Sequence, residues 1–152
     1  MRLAFEEAEK AYELGEIPVG AVIVKDDRVI GRGGNRVETL KDPTAHAEII
    51  AIGAASDTTG YSRLVDATMY VTLEPCPMCA GAIVLARIPR LVYSVSDTQA
   101  GACGSVYDIC RDGCLNHKVD VASGVMEQEC SLILKNFFKS IRCRNKNQSI
   151  GG

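Results

Sequence analysis

Two short segments carry residues that could do chemistry together: His46-Ala47-Glu48 and Pro75-Cys76-Pro77-Met78-Cys79. Zinc catalysis needs three imidazole or thiolate ligands, so that water can take the fourth tetrahedral position. His46, Cys76 and Cys79 meet that count, which makes one Zn2+ per chain the expected cofactor and Glu48 the expected proton shuttle. Cysteines three apart on a helix share a face, and a helix N-terminus favours the thiolate form that binds metal. Glu48 is harder to place, because residues two apart on a helix point about 200° from each other. His46 and Glu48 can share a site only if it lies off a helix end.

Other readings of these residues stay open. Cys-Pro-Met-Cys opening a helix after a strand is also the context of a redox dithiol. A lone histidine is often a hydrogen-bonded one, and a lone first-turn glutamate often stabilises a helix dipole. The redox reading leaves His46-Ala47-Glu48 unexplained, and a non-catalytic zinc module leaves Glu48 without a role. Cys103, Cys110, Cys114 and His117 offer a weaker second metal pattern in a glycine-rich stretch.

The elements that must position these groups can be read from periodicity. Arg2 to Leu14 is apolar at helical spacing and stops at Gly15. Val19 to Val24 and Arg28 to Ile30 flank Lys25-Asp26-Asp27 as a β-hairpin. The loop beyond it carries Asn35. Asp42-Pro43-Thr44 supplies a capping residue and a proline at the first helical position, so a helix is expected to start just ahead of His46. Asp66 to Leu73 suits a buried strand, the run from Cys76 a helix, and Leu91 to Val95 another strand. This strand, helix, strand order implies a parallel crossover, with the cysteines at the carboxyl edge of the sheet where open α/β folds bind ligands. Lys118 to Val121 reads as a short strand, and the apolar stripe from Met126 to Ile141 as a last amphipathic helix.

At 152 residues and 47% hydrophobic content the chain fits one domain, expected over 1–145, with 146–152 as a flexible tail. No apolar run approaches the roughly 20 residues of a membrane helix, and the N-terminal stretch is acidic where a secretory signal would be apolar. A cytoplasmic protein without a membrane partner is expected, its seven cysteines being thiols, ligands or core residues. The net charge of −2 hides an asymmetry. Lys135, Lys139, Arg142, Arg144 and Lys146 face no acid beyond Cys130; without those five of 17 cations, 12 stand against 19 acids. Such a basic end can contact phosphates, or can simply be a solvated helix terminus favoured by the macrodipole.

The H-x-E and P-C-x-x-C arrangement is the known signature of zinc nucleobase deaminases, whose hydrolytic mechanism is established for that class. Beyond it, the sequence resembles the bacterial tRNA-specific adenosine deaminases almost end to end. The likeness runs through Ile17-Pro-Val-Gly-Ala-Val, Gly33-Gly-Asn-Arg, Asp42-Pro-Thr-Ala-His-Ala-Glu-Ile, Tyr70-Val-Thr-Leu-Glu-Pro-Cys-Pro-Met-Cys-Ala-Gly-Ala, Asn116-His-Lys-Val and Phe137-Phe138. The resemblance implies a three-layer, cytidine-deaminase-like α/β fold: a five-stranded mixed sheet flanked by helices on both faces. It also implies a homodimer that deaminates the wobble adenosine of a tRNA anticodon stem-loop to inosine. Asn35 would hydrogen-bond the flipped base, the Ala47 backbone would frame the pocket, and Asp97 would contact a ribose. Phe138 and Arg142 complete the set of RNA-contacting candidates. Read without the resemblance, Asn35 is a turn residue, Asp97 a loop cap and the phenylalanine pair core. Guanine or cytidine deaminases acting on small molecules share the zinc segments and form the alternative substrate class. Gly34 and Gln99 depart from the aromatic and cationic residues that relatives often carry there.

Overall fold

The structure, a computed structural model, describes residues 1–149, with side chains described through Asn145. Its elements in chain order are α1 (Arg2–Glu13), β1 (Gly20–Lys25), β2 (Arg28–Gly34), α2 (Val37–Leu40), α3 (Ala47–Thr59), β3 (Thr68–Leu73), α4 (Pro77–Leu85), β4 (Arg90–Val95), β5 (Asp120–Ser123) and α5 (Glu127–Ser149). The strands form one mixed sheet in the order β2-β1-β3-β4-β5. β1 pairs antiparallel with β2 and β3, and β3-β4 and β4-β5 are parallel. Asp26 and Asp27 both sit at positive φ, 49° and 58°, the backbone that a tight hairpin turn requires.

Period-two alternation divides the sheet between two helical layers. Ala21, Ile23, Met69, Val71, Leu91 and Tyr93 are cross-strand neighbours. They are buried in one core cluster with Ala47, Ala51 and Ala55 of α3 and Ala80, Ile83 and Val84 of α4. The alternate residues meet the other layer: a side chain added at Gly20 would strike Ala4 and Ala8 of α1, and α5 packs on β4, β3 and α1. Each fully buried branched side chain of this core contributes about 1.5–3 kcal/mol.

Backbone contact sets the height of α3 above the sheet. Ala47, Ala51 and Ala55 form an alanine stripe at helical spacing, and Gly31 and Gly33 face them from β2. A Cβ at Gly33 would lie 2.3 Å from the Ala47 carbonyl oxygen, and one at Gly31 2.4 Å from that of Ala51. Only hydrogen on the strand side allows this approach.

Boundaries differ from the sequence reading in two places that matter. The helix expected just ahead of His46 begins at Ala47, with His46 as its extended N-cap (φ −75°, ψ 154°). Asp42 does not cap it; its Oδ1 accepts the Thr44 amide at 2.8 Å and the Thr44 hydroxyl at 2.7 Å, closing a turn upstream. The last strand lies at Asp120–Ser123 and not at 118–121, because its register with β4 pairs Asp120 with Arg90. α2 was not expected. α5 continues through Ser149 into the segment expected as a tail, and positions 150–152 lie outside the described residues. Among the described residues no helix is long and apolar enough to cross a membrane.

Gly33→Ala should therefore lower stability by about 1–3 kcal/mol, since the packed backbone must shift. Gly53 lies exposed within α3, where an added Cβ meets nothing, so Gly53→Ala should raise stability by up to about 1 kcal/mol. Denaturant midpoints measure both, and equal effects would contradict the close approach.

Candidate active site

Two helix N-termini meet at the carboxyl end of β3. Cys76 is the extended N-cap of α4 and Pro77 its first residue, where a proline loses no hydrogen bond. Cys79 follows at the third helical position. His46 is the N-cap of α3 and Glu48 its second residue. Because an N-cap lies outside the helical repeat, the 200° separation that troubled His46 and Glu48 does not arise, and both reach one site.

His46 Nδ1 lies 3.7 Å from Cys76 Sγ and 3.6 Å from Cys79 Sγ. The three ligand atoms all fall within 4.8 Å of one another, the one such group of three among the described residues. A tetrahedral zinc with bonds of about 2.3 Å to sulfur and about 2.0–2.1 Å to nitrogen would hold the two donor types about 3.6 Å apart. The donor set therefore fits the ion in both chemistry and spacing. Hydrogen bonding from Cys79, then from His46, pulls the Cys76 thiol down to about 4. The same bond, with burial, pushes the Cys79 thiol up, and the bond to Cys76 raises His46. Binding of a divalent cation by these thiols would displace their protons.

Glu48 is 4% exposed, and that burial pushes its carboxyl up to about 7. It can then hold or release a proton near neutral pH, the condition for general acid and base catalysis by one group. Beside it a cavity of about 330 Å³ is lined by His46, Ala47, Glu48, Cys76, Asn35 and Asp97, with Ile17, Val19 and Leu73 among its apolar walls. Asn35 is buried, held by its amide on the Val19 carbonyl at 3.0 Å, and its side chain engages no partner among the described residues. Asp97 is half-buried, and its Oδ1 accepts the Gln99 and Ala100 amides at 2.9 and 3.1 Å.

The structure does not bring Phe138 and Arg142 to this cavity. Both lie exposed on α5. Phe137 is the buried member of the pair, edge-on to Tyr12 at 5.9 Å and to Phe138 at 5.6 Å. Cys103, Cys110, Cys114 and His117 do not assemble either: Cys103 and Cys110 sulfurs lie 3.5 Å apart in the core, Cys114 is exposed, and His117 pairs with the Ile88 carbonyl. Sequence reading missed Glu16 and Glu74, buried carboxylates that line the cavity. The signal available was Leu73-Glu74-Pro75, an acid directly behind a buried strand.

Comparison with known proteins agrees with this geometry. A family model for MafB19-like deaminases matches residues 1–142. The chain is 51% identical over 147 residues to a tRNA-specific adenosine deaminase of Haemophilus influenzae, covering 96% of this chain and 85% of that protein. It is 44% identical over 146 residues to one of Bacillus subtilis, covering 96% and 91%. A solved structure from work on A-to-I editing deaminases at the wobble position of transfer RNA superposes with a TM-score of 0.85 at 49% identity, covering 88% of this chain and 97% of that one. A guanine deaminase of Bacillus subtilis gives 0.62 at 43% identity over 68% of this chain and 67% of that one.

Protein purified under mild reduction without chelator should carry one zinc per chain by elemental analysis. His46→Ala and Cys79→Ala should each lose most of it. A stoichiometric Cys76–Cys79 disulfide without metal would contradict the ligand assignment.

Proposed function

This chain belongs to the MafB19-like deaminase family, among the bacterial tRNA-specific adenosine deaminases, and from that premise we propose that it converts adenosine to inosine hydrolytically at the wobble position of a tRNA anticodon loop. The observation that carries the reading is Glu48, a buried carboxyl in the same cavity as an imidazole and two sulfurs spaced for a tetrahedral ion.

When held by His46, Cys76 and Cys79, zinc supplies Lewis acidity that makes water ionise near pH 7. Glu48 takes the proton of the attacking water, delivers it to the ring nitrogen beside the amino-bearing carbon, and serves the departing ammonia in turn. The N-termini of α3 and α4 both border the cavity, so their dipoles favour negative charge that develops there. Asn35 offers its side-chain amide to the flipped base, the Ala47 main chain frames it, and Asp97 takes a ribose hydroxyl. The apolar walls at Ile17, Val19 and Leu73 keep bulk water from the base.

An RNA loop suits this cavity because its bases are already partly unstacked, so extrusion costs at most a few kcal/mol. Lys135, Lys139, Arg142 and Arg144 are exposed on α5 and give an acidic body a positive surface for the rest of the RNA, with Phe138 beside them. A small-molecule deaminase would not need that surface. A dithiol oxidoreductase would leave Glu48, buried in the same cavity, without a role. The reading places the enzyme in the cytoplasm with its tRNA substrate. It also includes a homodimer, supported by Met78 and Leu85, which are two turns apart on α4 and 36% and 77% exposed.

Glu48→Ala should keep zinc and fold while losing turnover by about 100-fold or more; a rate close to the parent's would remove Glu48 from proton transfer. Affinity for an anticodon stem-loop should fall with salt, each neutralised phosphate adding a slope of about −0.7 in the logarithmic plot. Replacing Arg142 and Arg144 together should flatten that slope and leave the single-turnover rate at saturating RNA largely intact. An unchanged slope would take α5 out of RNA binding.

A further inference from the structure

Glu74 follows β3 directly and is 2% exposed, yet the chemistry above gives it no role. Its carboxylate is enclosed by the loop that follows β4. Oε2 accepts the Asp97 amide at 2.9 Å and the Ser105 hydroxyl. Oε1 accepts the amides of Cys103 and Ser105, each at 3.0 Å. Among the described residues no cation pairs with it, so three backbone N–H groups and a hydroxyl satisfy the buried charge, a strong form of hydrogen bonding. The loop closes on the carboxylate tightly: a Cβ at Gly101 would stand 2.4 Å from both Cδ and Oε2 of Glu74 and 2.5 Å from the Asp97 carbonyl oxygen.

Asp97 is thereby held from two sides. Glu74 takes its amide, and the amides of Gln99 and Ala100 take its carboxylate. Asp97, Ala100 and Glu74 line the same cavity as His46 and Glu48, so the loop is a wall of that cavity and Glu74 is what fixes the wall to the sheet. We propose that Glu74 is a positioning residue that acts through the 97–105 loop, presetting Asp97 for the substrate before it arrives. This rests on reading the cavity as the site for an adenosine of an RNA loop. The carboxylate is needed, because both its oxygens accept. A glutamine has one acceptor oxygen, and its NH2 would oppose either the Asp97 amide or those of Cys103 and Ser105.

Glu74→Gln tests this, with Ser105→Ala as a milder variant that removes one of the four donors should the first fail to fold. On an anticodon stem-loop, Glu74→Gln should raise KM about tenfold with kcat changed less than about threefold and zinc content unchanged. Asp97→Ala combined with Glu74→Gln should be no worse in KM than Asp97→Ala alone, since the two act along one path. Independently of any substrate, amide hydrogen exchange at Asp97, Cys103 and Ser105 should accelerate while that of β3 does not. Unchanged exchange at those amides, or additive KM effects in the double variant, would overturn the proposal. A parent protein inert on the stem-loop would overturn the functional reading instead, with the exchange comparison still deciding whether Glu74 holds the loop.

Discussion

Everything in the site depends on two helix N-termini being held at one edge of the sheet. The ligand candidates come from N-caps and first turns 30 residues apart in sequence, so neither segment forms a site alone. α4 is placed by the parallel crossover from β3 to β4, which puts its start at the carboxyl end of the strands. α3 is placed by contact of its Ala47 turn with bare glycine backbone on β2. Once both are fixed, the imidazole nitrogen and the sulfurs stand 3.6–3.7 Å apart with no further adjustment.

The cavity gathers three buried carboxylates that behave differently because their hydrogen-bond donors differ. Burial alone would lift Glu16, but the Thr39 and Glu38 amides, at 2.6 and 3.2 Å, hold it below the ordinary range. Its charge thus ties α2 to the loop after α1, a contribution present above the unfolded pKa and lost as pH falls through the folded one. Glu74 is satisfied by four donors and serves the opposite wall. Glu48 has no such set of loop donors, and burial dominates. Two walls are thus tied down by carboxyls that loop and helix amides enclose, while the Glu48 carboxyl has no such enclosure.

Much of this was legible in the sequence because it is local. The His46-x-Glu48 and Cys76-x-x-Cys79 spacings, the hairpin around Asp26-Asp27 and the strand-helix-strand order are all set within a few residues. The helix expected just ahead of His46 starts at Ala47 because Asp42, which carries every local sign of a cap, closes a turn on Thr44 instead and leaves His46 as the extended N-cap. Glu74 and Glu16 were invisible for a related reason: an acid in an apolar segment reads as exposed until the amides that surround it are known, and those come from residues 22 to 31 positions away. Phe138 came with the resemblance and Arg142 with the basic end of the chain, and the fold leaves both on the surface of α5, away from the cavity.

These two N-termini build a site suited to hydrolytic deamination of an adenosine within an RNA loop. The direct measurement is mass spectrometry of nucleosides from an anticodon stem-loop incubated with the zinc-loaded enzyme in heavy-oxygen water. Inosine should appear at the wobble position carrying one solvent-derived oxygen, with free adenosine converted far more slowly. Equal conversion of free adenosine, a preference for guanine or cytidine, or no base conversion with Glu48 intact and zinc bound would contradict it.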